Sequence, residues 1–512
     1  MLPAEGASGQ QYFGRRKYYW GHAGSPYDAA MMATSPRLVA TATAWAALGL
    51  AVVLAAFSLP IDDFWLSLAS AREIAAGADP ARAIGLTWMP TIPGAINPQW
   101  GAQLVFGAPG SAWGALAVNG ALIAVGLLVT LARARRRASA VAAVIAMLLM
   151  MGALSPHLLA RAQSFSIAFL PVALLLLERR PAPRWLPIGF GILMVAWANL
   201  HGAFVIGQLA AAAVLVGELV RWRRGLEPAQ PAVIGLTLLA ALVAPLVNPA
   251  GLELLAYAYG QPGLDVIRSI SVEWQPAWPW IPVATMFWAY LALLVAARLL
   301  RRGGAELGEG LLALALGLFA AYSIRQIPWF LLVTAPMLAS DIDALFGVRP
   351  RFRRAVGEIR GPLGGQKAGA YLGVALMAVI VLQPIRVTLP ESIGRVTLNE
   401  PVAVADLLEG SVAKGSHERV LNEQVWGGYL SYRLGDRIET AMDGRLEIRN
   451  RATWVSFFGL MHGDGDPAGE LAAQHVAWAA LSPEREKLVA DLVAAGWTVE
   501  LRRADQVLLH RP

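Results

Sequence analysis

Two adjacent carboxylates, Asp62 and Asp63, stand in the stretch LPIDDFWLSLASAREI, directly after an apolar segment and directly before a pattern typical of an amphipathic helix. Helix capping explains one of them, because a carboxylate near a helix N-terminus accepts from free N–H groups and opposes the helix dipole. The alternative is a general base, which needs a carboxylate near an acceptor hydroxyl and neighbours that set its pKa. Capping requires only one acid, so the second aspartate is the more informative.

Histidine and arginine recur in other short polar clusters between apolar segments. His157 and Arg161 have the spacing that places two residues on one helix face, and His201 follows Asn199. Arg325 is a lone arginine between two apolar stretches, and its planar guanidinium suits an anionic group such as a phosphate. Each residue also has a structural alternative, namely snorkelling, capping or hydrogen bonding to neighbouring carbonyls.

Metal binding is a further use of the same residue types. Histidine, aspartate and Glu273 are all possible ligands, but no helix carries a ligand-spaced pair such as HExxH. The sequence therefore leaves two alternatives, a site that binds a divalent metal and a site without a metal. The chain has no cysteine, which excludes disulfides, zinc–thiolate sites and cysteine nucleophiles.

The composition predicts the elements that position these residues. The chain has 512 residues, of which 56% are hydrophobic and 15% charged, and its mean hydropathy is +0.51. This is too apolar for a soluble protein and predicts an α-helical polytopic membrane protein with about eleven transmembrane helices. We expect spans near residues 37–58, 113–132, 138–154, 164–178, 185–198, 203–220, 231–247, 280–299, 310–323, 327–346 and 368–384.

Lysine and arginine are distributed unevenly between the loops. With the N-terminus in the cytoplasm, the predicted inner segments hold 23 of the 42 basic residues and the predicted outer loops hold five. The positive-inside rule therefore fixes the orientation, and the net charge of +7 is a topology signal that gives no support to nucleic-acid binding. We predict a cytoplasmic tail without a signal peptide (1–36), a transmembrane domain (37–384) with a long first outer loop (59–112), and an extracytoplasmic domain (385–512).

The last 128 residues change to a mixed charged and apolar composition. Strand-like runs RVLNE, RIETAMD, HVAWAAL and ADQVLLH accompany the helical stretch PEREKLVADLVAAGW. This pattern predicts a small α/β domain. Within it, Trp426 and Tyr429 of VWGGYL either stack on a sugar or pack around a tight Gly-Gly turn.

Nearly every polar cluster of the membrane region falls on the predicted outer side, whereas the inner connections carry little except arginine. This layout favours an enzyme or receptor whose site opens near the outer lipid headgroups. A transporter more often places polar residues near mid-membrane, in broken helices. A non-catalytic transporter or sensor, and a lipid-linked-glycan ligase or polymerase of different fold, are the alternatives.

The order of the motifs resembles that of a known family. DDFWLSLASAREIAAGADP, NPQW, LSPHLLARAQSFS, WANLHGAFVIG, NPAGLELL, EWQP and RQIPWF follow one another as in bacterial integral-membrane glycosyltransferases of the GT-C superfamily, in the group similar to dolichyl-phosphate-mannose mannosyltransferases. VLNEQVWGGYLSYRLGDRIETAMDGR resembles the outer-domain signature of that group. The resemblance implies a GT-C fold in the cell inner membrane, a polyprenyl-phosphate sugar donor, and a glycan, lipid or protein acceptor.

The resemblance also implies roles for individual residues. Asp62 or Asp63 is the expected base of an inverting displacement, with Asp63 favoured because it directly precedes Phe64-Trp65. The donor phosphate is expected to bind Arg325, Arg161 and His157. The other expected substrate-binding residues are His201, Asn199, Glu273, Gln326, Trp426 and Tyr429. A shared site requires Asp63 and Arg325 to lie within about 15 Å of each other.

One departure from the family pattern concerns the first outer loop. Relatives carry an acidic residue after the proline of ADP, where this chain has PARAIGLTW. This part of the loop therefore offers no acidic residue for a metal or for a second carboxylate role, unless Glu273 supplies it from another loop.

Overall fold

A computed structural model of the protein describes residues 60–348, except 84, 228, 261–264 and 302–305, and residues 400–512. The predicted cytoplasmic tail (1–36) and the first and last predicted spans (37–58 and 368–384) lie outside the described residues.

Helices dominate the first described part of the chain. The first predicted outer loop contributes α1 (Asp62–Ala75) and α2 (Trp100–Gly107). The helices that follow are α3 (Ala112–Arg137), α4 (Ala140–Leu154), α5 (Gln163–Leu177), α6 (Leu186–Leu200), α7 (Val205–Arg223), α8 (Pro231–Val243), α9 (Leu252–Gly260), α10 (Asp265–Ile270), α11 (Pro282–Arg301), α12 (Leu307–Tyr322) and α13 (Ile327–Val348). All of these except the short α9 and α10 coincide with the nine spans predicted between residues 113 and 346.

The lengths and apolar composition of these helices fit a membrane. Among the described residues, four helical stretches are long and apolar enough to cross one, namely Ala112–Arg137, Gly202–Arg223, Pro282–Arg301 and Ile324–Leu345. Five further apolar helices have 10–17 residues. The chain is a polytopic α-helical membrane protein, as its composition predicted.

Small residues allow the helices to pack closely. A Cβ atom on Gly126 of α3 would collide with the carbonyl oxygen of Ile167 in α5, and one on Gly308 of α12 would lie 2.6 Å from the carbonyl oxygen of Ala213 in α7. Because lipid tails are as apolar as leucine, association in a membrane depends on such close packing rather than on the hydrophobic effect. The glycines therefore fix where these helix pairs touch.

Ion pairs join the helices at what we call the arginine-rich end, the end that carries the arginines of 133–137, 179–184, 221–224 and 298–301. Glu178, directly after α5, pairs with Arg133 and Arg137 of α3 at 2.5 and 2.9 Å. The fully buried Asp341 of α13 pairs with Arg298 and Arg301 of α11 at 2.9 and 2.7 Å. Charges within membrane helices usually have such partners. These pairs hold the bundle together at this end.

The described part of the C-terminal segment, residues 400–512, forms a small α/β domain, which we call the C-terminal domain. Its elements are α14 (Val402–Ser411), β1 (Glu418–Asn422), α15 (Gly427–Leu434), β2 (Ile438–Thr440), α16 (Arg451–His462), α17 (Pro467–Ala473), β3 (Val476–Leu481), α18 (Glu486–Ala494), β4 (Thr498–Arg502) and β5 (Val507–His510). The sheet order is β2-β1-β3-β5-β4, with β1 parallel to β2 and β3, and β5 antiparallel to β3 and β4. Four of these strands and α18 occupy the predicted stretches, whereas the exposed edge strand β4 was not predicted.

The C-terminal domain packs on the first predicted outer loop, at the end of the bundle opposite the arginine-rich end. Trp65 of α1 contacts Tyr429 and Tyr432 of α15, with ring centroids 5.2 and 5.1 Å apart. Further along the loop, the Trp88 backbone N–H donates to the Thr440 carbonyl of β2 at 2.9 Å. The loop is thus held between the bundle and the domain, at what we call the domain end.

Candidate active site

A cavity of about 1370 Å³ lies at the domain end. Segments far apart in the sequence line it, from the first predicted outer loop, from α7 and α12, and from the C-terminal domain. Seven of the sequence-predicted site residues are on its wall: Asp62, Asp63, Arg161, His201, Glu273, Arg325 and Gln326. The structure therefore brings together most of the polar residues that the sequence placed on one side of the membrane.

Three consecutive contacts connect Asp63 to Arg325. Arg161 Nη1 lies 4.0 Å from Asp63 Oδ2 and 2.8 Å from Glu273 Oε1. Glu273 Oε2 in turn lies 3.2 Å from Arg325 Nη1. Glu273 and Arg325 lie in short 3₁₀ turns, Val272–Trp274 and Ile324–Gln326, that precede α11 and α13. Asp63 and Arg325 thus belong to one site, as the shared-site hypothesis requires.

The two carboxylates of this cluster differ in their tendency to ionise. Burial raises the pKa of Asp63 to about 6, although Arg161 and Arg325 act in the opposite direction. Burial also favours the neutral form of Glu273, but its contacts with the same two arginines outweigh this and hold its pKa at about 2. Glu273 is consequently a permanent anion that orients the arginines, whereas Asp63 exchanges a proton near neutral pH.

Asp62 occupies a different environment from Asp63. Its Oδ1 accepts a hydrogen bond from the Gly428 N–H at 2.5 Å, and its Oδ2 is buried. Burial raises the pKa of Asp62 well above its usual range, and the negative charges of Asp443 and Asp63 raise it further. The Asp63 side chain is 35% exposed. Asp63 is therefore the aspartate that a substrate in the cavity can reach in its ionised form.

His201 is oriented by a buried hydrogen-bond network. Its Nδ1 lies 2.7 Å from Ser166 Oγ, which accepts from Trp197 Nε1 at 2.6 Å. The Ala203 N–H also donates to this Nδ1, at 3.4 Å. Because Nδ1 acts as the acceptor, the network assigns the proton to Nε2. A neutral His201 therefore presents an N–H donor on the cavity wall.

Four of the predicted residues lie away from the cavity wall. His157 is only 7% exposed, and its imidazole interacts electrostatically with Glu273 and Arg161. Asn199 is occupied by packing, since its Nδ2 donates to the Val195 and Val247 carbonyls, both at 2.8 Å.

The two aromatic residues of VWGGYL complete this group. Trp426 and Tyr429 are 7% and 3% exposed and belong to the apolar core between α1 and the C-terminal domain. Substrate contact by His157, Asn199, Trp426 and Tyr429 stays a prediction, and in this structure all four lie outside the lining of the cavity.

The cavity continues from the polar cluster into an apolar groove between α7 and α12. Ile206 and Leu209 of α7 face Leu318 and Phe319 of α12 along this groove. Nearer the arginine-rich end the same two helices touch at Gly308, as described above. Leu318 and Phe319 of α12 are 63% and 51% exposed, so the groove is open on that side.

Sequence reasoning missed several residues of the cavity wall. Ser67 and Ser70 lie one and two turns after Asp63 on the same face of α1, and this spacing was visible in the sequence. The Ser70 side chain is almost fully buried, and its Oγ has no hydrogen-bond partner among the described residues. Trp274, over which Arg325 lies at 5.1 Å, and Gly444 of the C-terminal domain were also missed.

A metal ion would need a set of ligands around Asp63. Within residues 60–348 and 400–512, apart from the gaps given above, no three histidine or acidic side chains are grouped to hold one. The acidic neighbour Glu273 is engaged by two arginines, so it does not fit a ligand role.

Solved membrane proteins share this architecture. ArnT from Cupriavidus metallidurans bound to undecaprenyl phosphate is 16% identical, with a TM-score of 0.51, over 93% of this chain and 98% of that chain. The same protein in the apo state is also 16% identical, with a TM-score of 0.52, over 92% of this chain and 98% of that chain. The apo oligosaccharyltransferase of Archaeoglobus fulgidus is 13% identical, with a TM-score of 0.51, over 86% of this chain and 70% of that chain.

Sequence comparisons add no closer relative, since no family model and no curated protein matches the chain. The likeness to ArnT and to the oligosaccharyltransferase lies in the fold, over most of the chain. The chain therefore has the fold of ArnT and of the archaeal oligosaccharyltransferase, which agrees with the fold that the order of its motifs implied.

Proposed function

We propose that this protein is a membrane glycosyltransferase that moves a sugar from a polyprenyl-phosphate donor to a hydroxyl group of an acceptor. One observation carries the proposal. Asp63 and the cationic pair Arg161 and Arg325 line one part of a cavity, and an apolar groove forms another part of it. A lipid-linked phosphosugar has the matching parts, an anionic phosphate between a sugar and a long apolar tail. ArnT, which shares the fold, was solved with undecaprenyl phosphate.

The mechanism follows from the charges around Asp63. The ionised carboxylate takes the proton of the acceptor hydroxyl while that oxygen forms a bond to the anomeric carbon. The bond between this carbon and the phosphate oxygen breaks, and its electron pair leaves with the polyprenyl phosphate. Arg161, Arg325 and the His201 N–H are placed to stabilise the charge that develops there. A single displacement of this kind inverts the anomeric configuration.

The acceptor is expected to approach from the side of α1. The attacking and leaving oxygens must lie on opposite sides of the anomeric carbon, so an acceptor at Asp63 requires the phosphate to lie toward Arg325. On α1, the residues that follow Asp63 along the cavity are the uncharged Ser67 and Ser70. Both serines are buried, and the Ser67 hydroxyl donates to the Asp63 carbonyl at 2.7 Å, so this stretch of α1 offers no positive charge to an acceptor. This wall suits a glycan better than a phosphorylated acceptor.

The proposed orientation puts the reaction outside the cytoplasm of the cell, at the inner membrane. The arginine-rich end belongs in the cytoplasm under the positive-inside rule, so the domain end and its cavity face outward. The ion pairs at the arginine-rich end support a bundle that is closed there, which favours an enzyme over a transporter.

The pH dependence of transfer is the first expected result. Because the pKa of Asp63 is about 6, the base is ionised above this value and protonated below it. We expect the turnover rate to rise with pH through about 6, and to fall to about a tenth of its plateau at pH 5. Initial rates between pH 4.5 and 8, on protein shown to stay folded over that range, provide the measurement. A rate that is flat down to pH 4.5 would assign the base to another group.

A bulky side chain in the apolar groove provides the second test. We expect Leu209→Trp to raise the KM for a polyprenyl-phosphate sugar at least about tenfold, because the indole occupies the space of the lipid tail. Undecaprenyl phosphate should then compete less well in a binding assay. The matched control is Leu239→Trp on α8, which lies outside the cavity and is 55% exposed. Equal KM values in the two variants would remove the groove from donor binding.

A further inference from the structure

Two segments of the C-terminal domain touch the aspartate pair of the first predicted outer loop. Gly427 and Gly428 begin α15, and Asp443, Gly444 and Arg445 form the turn after β2. We call these five residues the aspartate cradle. They belong to the Trp-Gly-Gly-Tyr and Asp-Gly-Arg motifs, for which the proposed reaction supplies no role.

Gly428 contacts Asp62 with its backbone. Its N–H donates to Asp62 Oδ1 at 2.5 Å, so the carboxyl lies at the N-terminus of α15, where free N–H groups point outward. A Cβ atom on Gly428 would lie 2.5 Å from the Asp62 carbonyl oxygen and 2.7 Å from Oδ1. Only a glycine allows the helix to approach this closely.

Gly444 closes the other side of the pair. A Cβ atom here would lie 2.5 Å from Asp62 Oδ2 and 2.8 Å from Asp63 Oδ1. The turn therefore fits against both carboxyl groups at once. Any side chain at this position must push at least one of them away.

The cradle is itself firmly held. The fully buried Asp443 accepts from Arg445 Nε at 3.0 Å and lies 3.4 Å from Arg449 Nη1. The Met442 carbonyl accepts from Asn422 Nδ2 at 2.9 Å, and a Cβ atom on Gly427 would collide with that carbonyl. These contacts leave the turn little freedom to move. The position of Gly444 is therefore fixed by the core of the domain.

We propose that the C-terminal domain is part of the catalytic centre, and that its cradle holds Asp62 as a positioning residue so that Asp63 is aimed into the cavity. This rests on the proposed glycosyltransferase function. The division follows from the contacts: Asp62 lies against both Gly428 and Gly444, whereas Asp63 lies between Gly444 and Arg161 and is partly exposed to the cavity. The domain thus does more than cover the site.

Replacement of Gly444 tests the cradle through kinetics. We expect Gly444→Ala to lower kcat about 100-fold, because displacements of about 1 Å at a reacting group cost rates of that order. The donor KM should stay within about threefold, since the lipid and phosphate sites are untouched. The matched control is Gly459→Ala in α16 of the same domain, where a Cβ atom meets nothing within 4 Å. Unchanged kcat in Gly444→Ala, or a loss confined to KM, would overturn the proposal.

Replacement of Asp62 separates positioning from catalysis. Asn at this position still accepts from the Gly428 N–H, so we expect Asp62→Asn to keep kcat within about fivefold, whereas Asp62→Ala should lose about 100-fold. These two variants decide the question if Gly444→Ala does not fold. An Asp62→Asn variant as inactive as Asp63→Asn would make Asp62 a catalytic residue and overturn the proposal.

Hydrogen exchange supplies a readout that does not require activity. In detergent-solubilised protein, we expect Asp62→Ala to speed amide exchange of a peptide covering Gly428 at least about tenfold, because the N–H loses its acceptor. Asp62→Asn should leave the exchange rate unchanged. Equal rates in wild type and Asp62→Ala would overturn the cradle contact. If Asp62→Ala speeds the exchange but the wild-type protein never consumes the donor, the cradle contact is retained and the proposed function is overturned.

Discussion

Asp63→Asn should reduce sugar transfer at least about 1,000-fold while leaving donor binding intact. The amide has nearly the shape of the carboxylate but accepts no proton, and general base catalysis contributes about 10²–10⁴-fold to such reactions. The side chain is partly exposed to the cavity and lies 4.0 Å from Arg161, so the substitution removes a proton acceptor without opening a void. Initial rates of donor consumption, with undecaprenyl phosphate binding measured on the same preparation, provide the test.

The matched control is Asp62→Asn, because it places the same substitution at the adjacent residue in the same helical turn. Loss in the Asp63 variant with near-normal turnover in the Asp62 variant assigns the base to Asp63. The reverse pattern would move the base to Asp62. Full turnover in both variants would place the general base outside the aspartate pair.

Arg325→Gln should reduce kcat/KM about 100- to 1,000-fold, with part of the loss in kcat. Arg325 is held by Glu273 at 3.2 Å and lies over Trp274, so its charge is already oriented before the substrate binds. Removing one preorganised group that stabilises developing negative charge costs about 10²–10³-fold. Arg325→Lys should recover only part of the rate, because an ammonium lacks the planar fork that binds a phosphate at two points.

Arg82→Gln serves as the control for a lost positive charge. Arg82 comes from the first predicted outer loop but pairs with Glu253 at an exposed position, and it is absent from the cavity wall. We expect Arg82→Gln to change kcat/KM little. A loss confined to KM in Arg325→Gln would show that Arg325 binds the ground state only, and an unchanged kcat/KM would remove it from the site.

The sequence predicted the membrane bundle well, because its signals are local. Apolar runs of membrane length predicted α3 to α8 and α11 to α13, and these helices are all present. Because successive spans cross the membrane in opposite directions, the order of the loops along the chain predicts the side on which each loop lies. The grouping of Arg161, Glu273 and Arg325 at one end could therefore be expected before any contact was known.

The contacts between the C-terminal domain and the aspartates could not be predicted in this way. Gly428 and Asp62 are 366 residues apart, and nothing in either motif indicates that they meet. For the same reason the sequence left Asp62 and Asp63 as alternatives. Trp426 and Tyr429 have residue types common in sugar sites, but the close approach of Gly427 and Gly428 draws them into the domain interface.

The most direct measurement is the fate of a polyprenyl-phosphate-linked sugar incubated with the purified, full-length protein and a panel of neutral glycan acceptors. Mass spectrometry of the extracted lipid should show that wild type releases polyprenyl phosphate, with the sugar joined to an acceptor or to water, and that Asp63→Asn does not. An intact donor after incubation with folded, lipid-binding wild-type protein, or equal release by the Asp63 variant, would contradict the proposed function.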